Sequence, residues 1–224
     1  MGGPAHLEEL RADLRGEGID YPHAAWMEGE DRERHLALLS RLPLKEVRRS
    51  DSLEFDYLGG RQRVKRGLLE ASVSAAGGDV TVFVVHLKSR LTERREDPGG
   101  AVRRQAEAAQ VRACVLRRFP DPTAARFAIL GDFNDGPSSR TLRLVTRRGA
   151  AVVCVPLDAA DSRGEAWTEA WGKGEGYSRL DLILVSPGLR PCVDGGLARI
   201  YDGPDGARAS DHRPVLVRLT FPKR

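Results

Sequence analysis

Four short segments gather side chains able to move protons and to hold an anion or a hard cation. His86 closes an apolar run that begins at Val80. Asp132 and Asn134 stand in Gly131-Asp132-Phe133-Asn134-Asp135, directly after Ala128-Ile129-Leu130. Asp181 interrupts the leucine-rich stretch from Leu180 to Leu184, and Asp211-His212 precedes Arg213-Pro214-Val215. Imidazoles, carboxylates and an amide are the groups that orient water, transfer its proton and coordinate Mg²⁺. In an extended chain, side chains alternate between faces. Asp132 and Asn134 therefore share one side while Phe133 turns to the core, and Asp181 lies opposite Leu180, Leu182 and Leu184. An acid in so apolar a strand needs a partner, or its pKa shifts. Taken singly, each feature has a commonplace reading: a satisfied histidine, a turn, a structural acid, loop punctuation. Their joint occurrence at four strand ends argues for one site.

The elements that would carry these groups follow from hydrophobic period. Leu7, Leu10 and Leu14, with Pro4 before them and Gly16 after, predict a helix over 4–15. Residues 34–39 and 67–74 read as strands, with a turn at 56–60 between them. Val80 to His86, rich in β-branched residues, reads as a strand buried on both faces and forming a hairpin with 67–74. Residues 89–100 read as an exposed loop. The segment 101–119 reads as a helix with a buried stripe of Val102, Ala106, Ala109, Ala113 and Leu116, its other face rich in arginine. Short strands are expected at 127–130, 180–185 and 214–219. A short helix through Val145 is capped by Ser138 or Ser139. Strands with a few helices between them imply layered sheets with helices outside.

The 224 residues suit one domain, and 41% hydrophobic content excludes a wholly disordered chain. No apolar run approaches the roughly 20 residues of a membrane span. The start shows no basic and apolar leader, so a cytoplasmic location is expected. Cys114, Cys154 and Cys192 are odd in number and form no metal-binding spacing, which predicts free thiols. The net charge of +4 is uneven: the first forty residues are acidic, and basic clusters lie at 61–66 and 88–104. Such patches attract phosphates. Only five of the 36 basic residues are lysine, so the arginine excess also fits a general compositional bias.

The segments 85–89 (VHLKS), 131–135 (GDFND), 178–184 (SRLDLIL) and 210–215 (SDHRPV) together resemble the endonuclease/exonuclease/phosphatase superfamily of the DNase I-like fold. Arg66-Gly67 and Trp167-Thr168 resemble it too. The resemblance implies a single domain over 1–224, a four-layer α/β sandwich of two packed mixed sheets with outer helices, and phosphoester cleavage with Mg²⁺ or Mn²⁺. It implies His212 beside the scissile phosphate, held by Asp181. Asp132 would orient or deprotonate water, and Asn134 would contact the phosphate or position Asp132. His86 would touch a phosphate oxygen, and Asp211, with Asp132 and Asn134, would serve the metal. Lys88, Arg90 and Arg179 are the expected substrate contacts.

Two motifs of that family, an early strand bearing Asn and a later Gln-Glu, have no counterpart. The chain therefore reads as truncated at its N-terminal side relative to the family. Glu8 and Glu9 are poor substitutes. Weak metal affinity and open strand edges are expected, the latter relieved by a rearranged sheet or by a homo-oligomer. The expected activity is that of a DNA nuclease without sequence preference, with Trp26, Trp167, Trp171 and Tyr177 as stacking candidates. The alternatives are a phosphatase of a small or lipid-linked phosphate ester, and a non-catalytic scaffold with a weakened metal site.

Overall fold

The computed structural model describes residues 2–75, 77–172 and 176–222. Helix α1 (Pro4–Gly16) leads into the strand pair β1 (His23–Met27) and β2 (Leu36–Ser40). Then come β3 (Leu44–Ser50), the hairpin β4 (Glu54–Tyr57) and β5 (Gly60–Arg63), and the long strands β6 (Leu68–Ala75) and β7 (Gly78–His86). Helix α2 (Ala101–Arg118) crosses to β8 (Phe127–Asp132), and α3 (Arg140–Thr146) follows. Next are the short strands β9 (Arg147–Arg148), β10 (Ala151–Val152), β11 (Val155–Pro156), β12 (Ala159–Ala160), β13 (Glu169–Trp171) and β14 (Gly176–Ser178). Strands β15 (Asp181–Val185), β16 (Ala198–Ile200) and β17 (Val215–Leu216) complete the sheets, with a one-turn helix α4 (Gly206–Ala209) before the last.

A six-stranded sheet of order β11-β15-β8-β7-β6-β3 divides the molecule. Only β7 and β8 run parallel, joined by the α2 crossover, so the sheet is mixed. Alternation along its strands sends Phe83, Val85, Ile129, Leu182 and Leu184 to one face, against α2 and α3. Val80, Ala128, Ile183 and Val185 go to the other, beneath β12-β16-β17. Leu69 and Val84 on that same face meet Ala25, Met27 and Leu36 of the β1–β2 pair. The expected α/β layers are present.

The second layer consists of two pieces. Among the described residues, β1 pairs only with β2 and β17 only with β16. Between them Val82, Val84 and Leu130 are only half-buried, so the expectation of a strand buried on both faces holds for β7 at Val80 and is met only in part beyond it. A cavity of about 430 Å³ lies on this side, lined by Leu130, Ile183, Val215, Asp181 and His212. The strand expected over 214–219 is reduced to Val215–Leu216 on β16, after which the chain changes partner and Leu219 bridges to Val193.

The stripe expected on α2 is also corrected. Val102 is 53% exposed, and the buried face is Arg104, Glu107, Ala108, Val111 and Val115. Polar residues are buried because they satisfy backbone groups. Glu107 accepts the Lys88 and Lys65 amides at 2.7 and 3.2 Å, and Arg104 donates to the carbonyls of Gly99 and Lys88. Hydrophobic period cannot register such bonds. In the loop before α2, Asp97 is buried, accepting the amides of Val102 and Arg103 and so capping the helix. Ser139 is the cap of α3. Hydrophobic period does not mark strands β1, β3, β4 and β5, although the turn expected at 56–60 joins the last two. Lys45, Glu46, Arg48 and Arg49 make β3 a polar edge strand whose apolar pattern is too sparse to read.

Gly131 ends the apolar part of β8 with φ +136°, and a Cβ there would lie 2.0 Å from the Val85 carbonyl oxygen. Close approach of β7 and β8 at their site ends thus requires glycine. Gly131→Ala should destabilise the fold by about 2–4 kcal/mol, read as a lowered urea midpoint. A midpoint within error of wild type would show that the strands separate freely there.

Candidate functional site

Strand pairing builds the site from side to side. His86 at the end of β7 is the register partner of Asp132 on β8, and Asp132 is the partner of Asp181 on β15. Paired residues share a face, so an imidazole and two carboxylates stand abreast across three strands. His86 Nε2 lies 3.4 Å from Asp132 Oδ2. Past Asp132 the chain leaves the sheet. Phe133 is fully buried and Asn134 takes a left-handed φ of +51°. Asn134 folds back on Asp132: its backbone amide donates to Oδ1 at 2.7 Å and its Nδ2 to Oδ2 at 2.9 Å. The same Nδ2 donates to the Leu87 carbonyl. The amide protons of Asn134 are thus spent on Asp132 and the Leu87 carbonyl.

His212 arrives from the opposite layer. Its Nδ1 lies 2.7 Å from Asp181 Oδ2, its backbone amide donates to Ser210 Oγ, and it bridges to Glu169 on β13. Thr168, fully buried, accepts the amides of Leu180 and Asp181 on its Oγ1, both at 3.0 Å. This threonine and Arg66 are structural parts of the site that residue chemistry alone does not single out, although both stand in segments with family resemblance. Arg66 is buried, with Nη2 2.9 Å from Asp31 Oδ2 and Nη1 donating to the Leu87 carbonyl.

The environment separates the three titrating groups. Burial, reinforced by the nearby Asp181 charge, pushes the Asp132 carboxyl up to about 6. The Asp181 bond raises His212 to about 9. Burial, with the Arg66 charge adding to it, lowers His86 to about 3, so His86 is neutral at pH 7. Between about 6 and 9 one carboxylate able to take a proton faces one imidazolium able to give one. Both side chains remain partly open to solvent, at 16% for Asp132 and 30% for His212.

The other expected residues are placed unevenly. Asp211 is exposed beside His212, and its backbone carbonyl accepts the Ala170 amide. Arg90 is exposed and 3.9 Å from Asp135. Lys88 turns its Nζ to Ser89 and to the Leu91 carbonyl. Arg179 is not brought to the row: its Nη2 donates to the Leu157 carbonyl at 2.5 Å. Of the aromatic candidates, Trp26 donates to the Gly2 carbonyl and packs on His35. Trp167 contacts Arg213 and Tyr177, whereas Trp171 and Tyr177 are over half exposed. Glu8 is exposed and pairs with Arg11. The three cysteines are free.

Among the described residues no cluster of three or more His, Cys, Asp or Glu converges on one point. A hydrated Mg²⁺ or Mn²⁺ needs only one or two carboxylates. Burial, with the Asp181 charge beside it, raises Asp132 to about 6, and a hard cation on its carboxylate would offset that cost. The oxygen donors fit such an ion.

The model of the family described as Endonuclease/Exonuclease/phosphatase matches residues 6–212. No curated protein matches the chain in sequence. Among solved structures, sphingomyelinase C from Streptomyces griseocarneus is similar at a TM-score of 0.59 and 14% identity, over 97% of this chain and 80% of that one. A beta toxin variant from Staphylococcus aureus with bound magnesium ions gives 0.64 and 15%, over 95% and 82%. An endonuclease/exonuclease/phosphatase family protein from Leptotrichia buccalis gives 0.63 and 14%, over 96% and 78%. At these identities the likeness is one of fold.

Because His212 titrates higher folded than the ordinary 6.5, its pairing with Asp181 contributes stability below about 6.5 that is lost as pH rises through about 9. In metal-free protein, Asp181→Asn should return the His212 titration, followed by NMR, toward 6.5. It should also flatten the fall in urea stability that wild type shows between pH 6.5 and 9. An imidazole titrating alike in both proteins would contradict the pairing.

Proposed function

The chain belongs to the endonuclease/exonuclease/phosphatase family, a family of phosphoester hydrolases, and from that premise we propose that it hydrolyses phosphodiesters, with the DNA backbone as substrate. One observation carries the reading: Asp132, raised to about 6, and His212, raised to about 9, belong to one site in opposite protonation states at neutral pH. Asp132, held by both nitrogens of Asn134, accepts the proton of the attacking water. His212, oriented by Asp181, donates to the leaving oxygen as the P–O bond breaks. Neutral His86 can donate one N–H to a non-bridging oxygen. A hydrated Mg²⁺ or Mn²⁺, held by Asp132, Asn134 and Asp211, would supply neutralisation of the phosphate charge.

Exposed Arg90, Arg94 and Arg95 in the loop after His86 support a polyanionic substrate. A second reading, hydrolysis of a small or lipid-linked phosphate ester, is favoured by where other arginines point. Arg104, Arg112, Arg118 and Arg179 are all engaged within the protein, which leaves fewer free cations to follow a strand. Salt separates the two. DNA cleavage should weaken steeply as salt is raised, whereas a small ester should be nearly indifferent.

Asp132→Asn should lower kcat on supercoiled DNA with Mn²⁺ by about 10²–10⁴-fold, and chelation should abolish turnover. Cleavage by the variant at the wild-type rate would remove Asp132 from the chemistry. Wild-type turnover of simple phosphate esters but not of DNA would select the second reading.

A further inference from the structure

Arg213 follows His212, yet its side chain turns away from the row and into the protein, where it is 8% exposed. Its guanidinium lies over the Trp167 ring at 4.1 Å. Nη2 donates to Asp161 Oδ2 at 2.7 Å, Nε to the Tyr201 carbonyl at 3.1 Å and Nη1 to the Trp167 carbonyl at 3.3 Å. Asp161 is itself fixed: its Oδ1 accepts the amides of Arg163 and Glu165 at 2.8 and 2.9 Å. Burial opposes its charge, but these bonds and the one from Arg213 hold the carboxyl well below its ordinary range. One arginine thus ties together the 161–167 turn, the end of β16 and the segment that carries His212.

The backbone closes a circuit around the imidazole. The Arg213 amide donates to the Thr168 carbonyl at 2.7 Å. Thr168 Oγ1 accepts the Asp181 amide, and Asp181 holds the His212 ring. Thr168, Asp181, His212 and Arg213 therefore form one ring of contacts, whose outer side is pinned by Asp161. A buried ion pair contributes little net stability, because desolvation offsets its attraction. What it can contribute is geometry. A planar, five-donor guanidinium meets a carboxylate, two carbonyls and an aromatic face at once, which a lysine cannot do.

We propose that Arg213, anchored by Asp161 and Trp167, is the positioning residue that sets the His212 imidazole against Asp181. This inference rests on the reading of His212 as the group that works at the phosphate, and it adds residues outside that chemistry. Misplacing a reacting group by about 1 Å can cost about 10²-fold in rate. Loss of the strut therefore acts on kcat and leaves substrate binding in place.

The test follows two readouts, the first in ¹⁵N-histidine-labelled, metal-free protein and the second in Mn²⁺-loaded protein. The first is the low-field Nδ1–H resonance of the His212–Asp181 bond, assigned by its loss in Asp181→Asn. The second is kcat and KM on bis(p-nitrophenyl) phosphate. Arg213→Met and Arg213→Lys should fold, lose or broaden the resonance, and lower kcat about 10²-fold with KM changed less than about 3-fold. Thr168→Val should do the same, and Thr168→Ser, which keeps the hydroxyl, should restore both. Folded Arg213 variants that keep the resonance at wild-type intensity would overturn the proposal. If the Arg213 variants do not fold, Asp161→Asn, which removes the charged acceptor of the Arg213 guanidinium, decides: a resonance and kcat equal to wild type would overturn the proposal. Wild-type protein that shows the expected resonance pattern but turns over no phosphodiester would sink the functional reading and leave the positioning role standing.

Discussion

The site depends on the lateral register of β7, β8 and β15. Pairing of His86 with Asp132, and of Asp132 with Asp181, puts three titrating side chains on one line at the strand ends. A slip of one residue in either ladder would send one of them to the opposite face. The apolar residues behind the row hold that register, since Phe83, Ile129, Leu182 and Leu184 are all fully or nearly fully buried on the α2 side. Gly131 lets the backbones of β7 and β8 approach where the row begins. The packing that folds the sheet is thus the packing that aligns the chemistry.

Alignment alone would leave His86, Asp132 and His212 with ordinary acidity. What distinguishes them is an unequal share of burial and charge. Asp132 is desolvated next to a second carboxylate, so it holds its proton more tightly. Asp181 is bonded to an imidazole at 2.7 Å, which stabilises the imidazolium. His86, desolvated and facing the Arg66 charge, stays neutral. The same kind of side chain thus takes opposite protonation states within one cleft.

The surrounding polar residues work inside the fold. Glu107, fully buried on α2, accepts the amide of Lys88, two residues after His86. Arg104 and Arg66 donate to carbonyls of the same segment, at Lys88 and Leu87. Several charges that composition assigns to solvent or to a ligand therefore shape the strand end. On the opposite face of the sheet the second layer is divided, and the half-buried Val82, Val84 and Leu130 mark where its two pieces stop.

Much of the site was legible in the chain itself. β-branched and leucine-rich runs mark β7, β8 and β15, because a buried strand needs apolar side chains, and period two turns Phe133 inward and leaves Asp132 and Asn134 together. The polar edge strand β3 and the buried face of α2 were not legible, since their residues are chosen by hydrogen-bond partners distant in sequence. Nor could sequence show that Arg179 turns to Leu157, that Asn134 spends its amide on Asp132, or that Asp161 grips Arg213. The sequence by itself determined which groups exist and which strands bear them. Only the tertiary structure decided their distances, their partners and their acidity, because each of these depends on elements that the chain brings together from far apart.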